Sequence, residues 1–236
     1  APGFQPLMTE DADIAAPVRM QKKGESIAAL LKREGFAETF FGDETPPVSE
    51  YRTGDDDGGL YLEFLVPLIG SEHRRDGSRK ATATVAGVSA QRLRYIEIVI
   101  AEPWTIRLSD QKGYPLGRAG LDVRVANAAC YLAQKLLVFR ERKPDKQAKD
   151  LLYVHDTLLI FSHSLDELGV LWKRIEPTLH PNAVRALTRR RSEVLASVTD
   201  PARNAALLAA STARADPPSA ERLLATCRAG LAQVFG

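Results

Sequence analysis

The chain has 236 residues, of which 44% are hydrophobic and 26% charged, and a formal net charge of +2. It is long enough for one large domain or two modest ones with a buried core. The near-neutral balance excludes a strong overall field for nucleic acid, so any such contact depends on a local basic patch. No apolar run reaches membrane-span length and no signal peptide is visible, so no membrane partner is expected.

The chain opens Ala1-Pro2-Gly3 without an initiator methionine, and we expect residues upstream of it. Thr9-Glu10-Asp11-Ala12-Asp13-Ile14 follows and reads as a short strand ended by Pro17. In extended chain Asp11 and Asp13 point to one face, and Ala12 and Ile14 to the other. Two adjacent aspartates repel unless a cation lies between them. Mg²⁺ suits that place, because it prefers one or two carboxylates with phosphate oxygens and water. An acidic turn near a chain end is the simpler alternative.

Glu25 to Glu34 reads as a helix, with Ile27, Leu30 and Leu31 at helical spacing and Gly35 as its stop. Phe36 to Phe41 and Val48 to Arg52 read as strands. The Gly54-to-Gly59 turn makes a hairpin with a strand over Leu60 to Leu68. Period-two spacing there places Leu60, Leu62, Phe64 and Val66 on one face and Tyr61, Glu63 and Leu65 on the other. Glu63 is the one charge in that run. It is either a solvent-facing side chain or a third acid beside Asp11 and Asp13. His73 to Lys80 is a basic loop, either solvated or phosphate-facing. Thr82 to Val88, Tyr95 to Ala101, Trp104 to Leu108 and Leu121 to Val125 all read as extended.

After Asn127, a candidate N-cap, the pattern turns helical. Ala128 to Arg140 carries an apolar stripe that includes Lys135, which either snorkels to solvent or supplies positive charge to a polar site. A helix from about Lys146 to Phe161 places Lys149 and Asp150 near its first turn, where the acid suits the helix dipole. His155 on its stripe reads as a packed histidine. Cys130 and Cys227 fall in apolar helical segments and read as buried reduced thiols, which fits a cytoplasmic location. Helices are expected over Leu165 to Ile175, Pro181 to Val198, Pro201 to Arg214 and Ser219 to Phe235, with Asp200 and Ser219 as caps. Arg189-Arg190-Arg191 is the densest cationic run of this part, read as a solvated helix face or a contact to RNA or an acidic partner.

Two acids on alternate positions of one strand, with a third on a neighbouring strand, form an arrangement that holds Mg²⁺ for nucleotidyl transfer. The Thr9-to-Ile14 stretch resembles the T-x-D-x-D-hydrophobic motif of minimal nucleotidyltransferases of the polymerase β superfamily. It is nearest the proteins grouped with the AbiEii/AbiGii toxins. Leu62 to Pro67 resembles the third-carboxylate strand. Ala133-Gln134-Lys135-Leu136-Leu137 with Lys149-Asp150-Leu151 resembles the K…KD signature. The resemblance runs from Thr9 to Phe161. It implies Asp11, Asp13 and Glu63 as metal ligands for Mg²⁺ or Mn²⁺, with Lys135 and Asp150 also at the catalytic site. It further implies that Thr9, Lys135 and Lys149 bind the NTP. It implies an acceptor hydroxyl on RNA (tRNA) or protein, and an antitoxin partner. The Gly-Ser or Gly-Gly turn that the family places upstream is not present before Asp11, and Leu7 stands where the family carries arginine.

The expected fold class is α+β: a mixed-sheet nucleotidyltransferase-like domain over residues 1–162, then an all-helical region over 163–236. The expected function is metal-dependent transfer of NMP from an NTP. The alternative is a non-catalytic module of the same fold that binds nucleotide, nucleic acid or protein.

Overall fold

The computed structural model describes residues 11–21, 24–41, 48–53, 59–73, 75–77, 81–110, 113, 120–212 and 214–236. Thr9, most of the Gly54-to-Gly59 turn, and Arg74 and Ser78 to Lys80 of the basic loop lie outside them. The fold is α+β, a mixed sheet followed by helices. By packing, the described residues form two compact units, one ending at Ile100 and one running from Ala101 to Gly236. The boundary expected between residues 162 and 163 falls inside the second unit.

The first unit holds β1 (Asp11–Ala15), α1 (Ile27–Arg33), β2 (Ala37–Phe41), β3 (Val48–Arg52), β4 (Tyr61–Pro67), β5 (Thr82–Val85), β6 (Val88–Leu93) and α2 (Ile96–Val99). The strands form one sheet in the order β2-β3-β4-β6-β5, with β1 paired to β4 outside that path. β1 and β6 run parallel to β4, and β3 runs antiparallel to it. The β3–β4 hairpin is therefore as expected. The alternation along β4 holds in part: Phe64 and Val66 are buried in a core with Tyr51, Val85, Val88 and Ala90 and Leu62 packs against it, while Leu60 is exposed and Leu65 on the opposite face is also buried. Ile27, Ala28 and Leu31 of α1 pack on that core. Ser26 Oγ accepts from Ala29 N at 3.2 Å and starts the helix. Tyr51 meets Phe64 edge-on, with centroids 5.5 Å apart.

Tyr95 to Ala101 is not extended. Tyr95 takes φ +66°, which breaks the strand, and one helical turn follows. The β-branched residues that suggested a strand serve this turn instead: Ile96 and Ile98 are buried by it. Thr82 to Val88 is likewise broken, because Ala86 and Gly87 turn the chain between β5 and β6 with positive φ.

The second unit holds a two-stranded antiparallel sheet, β7 (Trp104–Leu108) with β8 (Leu121–Val125). Six helices follow: α3 (Ala128–Val138), α4 (Pro144–Ile160), α5 (Leu165–Ile175), α6 (Pro181–Val194), α7 (Asp200–Ala210) and α8 (Ala220–Phe235). Leu132, Leu136, Leu151, Leu152, Leu158, Leu223, Leu224 and Leu231 are fully buried at their junctions. Asn127 Oδ1 caps α3 by accepting from Cys130 N at 2.9 Å, as its position implied. Ser219 Oγ caps α8. Thr199, not Asp200, is the N-cap of α7, and Asp200 is its first helical residue. Cys130 and Cys227 are free and buried. Among the described residues, no helix is long and apolar enough to cross a membrane.

Candidate active site

The acidic residues are arranged by strand register. Partners in register share a face of the sheet. Asp13 stands opposite Glu63, and Glu63 stands opposite Glu50 on its other neighbouring strand. Asp11 stands opposite Tyr61, which stands opposite Arg52. Asp13, Glu63 and Glu50 thus lie abreast across β1, β4 and β3, with Asp11 two residues along the same face. Asp11 and Asp13 are exposed, and Glu63 and Glu50 are half-buried. The pairing of Asp11, Asp13 and Glu63 on one face is as read from the sequence. Glu50 was not singled out. The predicted hairpin contained the signal, since its antiparallel register is what sets Glu50 against Glu63.

Like charges directly opposite one another destabilise a sheet. Arg52 offsets part of this: its Nε donates to Glu50 Oε2 at 2.8 Å, and its guanidinium lies 4.8 Å over the Tyr61 ring. The Tyr61 phenol reports the local field. Burial, then the negative charges of Asp11, Glu63 and Glu50, push its pKa up to about 12, against the opposing pull of Arg52.

Among the described residues, no three His, Cys, Asp or Glu side chains are gathered closely enough to hold a metal ion. The chemistry of the donor set nonetheless fits a hard cation, since it is composed wholly of carboxylate oxygens. Neighbouring strands stand about 4.8 Å apart, within the reach of side-chain rotation about χ1.

In the second unit α3 presents Lys135 on its apolar stripe, and the ammonium has a reason to be there. Nζ donates to Asp150 Oδ1 of α4 at 2.8 Å. It also lies 5.3 Å from the Tyr131 ring centroid and 5.4 Å from that of Tyr153. Arg142, in the turn between the helices, donates Nε to the other oxygen, Asp150 Oδ2, at 3.1 Å. The Asp150 side chain is 1% exposed, Lys135 16% and Arg142 40%. Pro144 is the first residue of α4, two positions earlier than expected, which places Asp150 in its second turn. Asp150 therefore answers two side-chain cations and not the helix dipole. Lys149 is exposed. Nothing local marks Arg142, because its partner lies eight positions on and depends on how the chain between α3 and α4 folds back.

A second buried charge cluster lies deeper among the helices. Arg214 grips Asp156 with both guanidinium ends, at 2.8 and 2.5 Å. His155 Nδ1 lies 3.0 Å from Asp156 Oδ1. His155 is thus a packed histidine, as read. Arg190 and Arg189 pair with Glu193, and Arg191 donates to Leu231 O, so the arginine run is largely engaged in its own fold.

A mixed sheet carrying a register-aligned row of carboxylates, followed by helices that hold a buried lysine–aspartate pair, defines an α+β protein with an acidic site on its sheet. The chain belongs to the nucleotidyltransferase family: a family model described as "Nucleotidyltransferase" matches residues 2–175. No curated protein and no solved structure matches it.

Proposed function

We propose that the protein is a metal-dependent nucleotidyltransferase that moves NMP from an NTP to an acceptor hydroxyl on RNA or protein. The observation that carries the reading is the register of β1 against β4, which sets Asp13 beside Glu63 with Asp11 on the same face. Asp11, Asp13 and Glu63 are the residues that would hold Mg²⁺ or Mn²⁺. When bound, such a cation neutralises triphosphate charge and orients the phosphates. Glu63 completes the oxygen set or accepts the proton of the acceptor hydroxyl. The acceptor oxygen bonds to the α-phosphorus, the α–β anhydride breaks, and pyrophosphate leaves with the electron pair. The family resemblance assigns Thr9, Lys135 and Lys149 to the nucleotide, and Asp150 holds Lys135. The likeness to AbiEii/AbiGii toxins extends the proposal to a growth-inhibiting, cytoplasmic enzyme with an antitoxin partner.

The test is incubation of the protein with each labelled NTP, Mg²⁺ and either total tRNA or cell protein. Label is expected on one acceptor class and absent with Asp11→Ala or Asp13→Ala. Absence of label from every NTP with both acceptors overturns the reading. A non-catalytic nucleotide-binding module is the second reading. It is favoured by one observation, that the described carboxylates are not drawn together as a metal-holding group. Nucleotide binding without label transfer would select it.

A further inference from the structure

The Asp150 cluster does not balance in charge. One buried carboxylate serves two cations, so Lys135, Arg142 and Asp150 together carry a net charge of +1. Their donors are also underused. An ammonium has three donor hydrogens and a guanidinium five. Among the described residues, Lys135 Nζ donates only to Asp150 Oδ1, and the Arg142 guanidinium donates only through Nε to Asp150 Oδ2. Asp150 is fixed by its burial in the second turn of α4, and its two oxygens hold the two cations on either side of one carboxylate. Arg142 is the more exposed of the pair, so the surplus charge and the spare donors open toward solvent at the α3–α4 turn.

A buried ion pair that served packing alone would be expected to close its charge and its donors. We propose that Arg142 and Lys135 form a two-pronged binding site for the phosphate chain of a nucleotide, and that Asp150 is its positioning residue and not a catalytic one. Guanidinium and ammonium are complementary for this ligand. Arg142 offers a planar fork to two phosphate oxygens, and Lys135 offers a point charge. The faces of Tyr131 and Tyr153 flank the ammonium and hold it in place. The assignment of a nucleotide as the phosphate source rests on the reading above. The phosphate chemistry itself rests only on the cluster.

The experiment is calorimetric titration of the full chain, in metal-free buffer, with inorganic triphosphate and separately with an NTP. Melting curves are recorded for every variant. The wild type binds both, and Arg142→Ala weakens both by about tenfold or more, the scale of one charge-assisted phosphate contact. Arg142→Lys recovers part of that loss. Arg203→Ala, which removes an exposed arginine of α7 paired with Asp200, leaves triphosphate binding intact. Failure of the wild type to bind triphosphate overturns the proposal. So does Arg142→Ala or Arg142→Lys binding as tightly as wild type at an unchanged melting temperature. Binding of the NTP but not of triphosphate also overturns it, since the phosphate chain would then not be what is held. Triphosphate binding in a protein that transfers no label leaves this site standing and removes only the transferase reading. Label transfer that is unaffected in Arg142→Ala does the reverse.

Discussion

Lys135 and Asp150 meet across the α3–α4 turn, Nζ to Oδ1 at 2.8 Å, with the aspartate 1% exposed. A pair so placed is worth less for its own attraction than it costs to break, because the survivor is left charged and half-desolvated. Asp150→Ala leaves both Lys135 and Arg142 without their shared acceptor. The expected loss is about 2–4 kcal/mol, below the fully buried range because Lys135 and Arg142 keep some solvent. Chemical denaturation checks this. Asp150→Asn keeps one acceptor oxygen and should lose less. Lys135→Met, which removes the buried charge with its length preserved, should be milder than Asp150→Ala.

The Asp156 cluster predicts a dependence on acid. Burial pushes the Asp156 carboxyl up, but the hydrogen bonds from His155 and Arg214 and their charges outweigh it and hold the group below its ordinary value. A folded-state value below the unfolded one means that the stabilisation is complete above the unfolded carboxylate pKa, about 3.9. It is lost as pH falls below that value and through the folded-state pKa. Melting temperature should therefore decline more steeply in wild type than in Asp156→Asn between pH 5 and the acid limit, roughly pH 2. Equal slopes would show that the cluster contributes nothing through ionisation. The Cys227 thiol, pushed up to about 12 by burial and then by the charge of Asp156, should stay unreactive to thiol reagents until the helices unfold.

Two helix glycines should respond differently to the same substitution. Alanine is favoured over glycine in a helix by about 1 kcal/mol. At Gly230 of α8 an added Cβ meets the Leu158 methyl groups, 2.8 and 3.1 Å away, which are the movable end of a side chain. At Gly169 of α5 it meets the Gln233 carbonyl oxygen at 2.9 Å, which is backbone of α8 and cannot step aside. Gly230→Ala should fall near neutral, and Gly169→Ala should cost about 1–3 kcal/mol as the two helices are forced apart. Thermal melts of the two variants side by side test the contrast.

What could be read from the chain followed the range of the interactions. Period two identified Leu62, Phe64 and Val66 as the core face of β4 but not the exposure of Leu60 or the burial of Leu65, which depend on what packs on each face of the sheet. Asn127 identified the start of α3 because its partner, Cys130 N, is three residues away. Lys135 announced itself by breaking an apolar stripe. Glu50 carried no such anomaly. A glutamate on a short strand is ordinary until the hairpin register sets it against Glu63. Arg214 gave no sign either, since its partner Asp156 lies 58 positions earlier. Ile96 to Ile100 misled, because β-branched residues favour strands by packing on a pleated surface, and here one helical turn buries them equally well.

Glu63 is where fold and proposed chemistry meet. It stands between Asp13 and Glu50 in register. Glu63→Gln preserves shape and removes the charge. The same change should abolish label transfer, because glutamine neither holds a hard cation as a carboxylate does nor accepts the hydroxyl proton. Tyr61 supplies an independent reading of the charge. Its phenol pKa, about 12, should fall in the variant but remain above the ordinary tyrosine value, since burial is the larger cause of the shift. Ultraviolet titration of the phenolate checks this. A Tyr61 phenol unmoved by Glu63→Gln would mean that the Glu63 charge does not face it across the sheet.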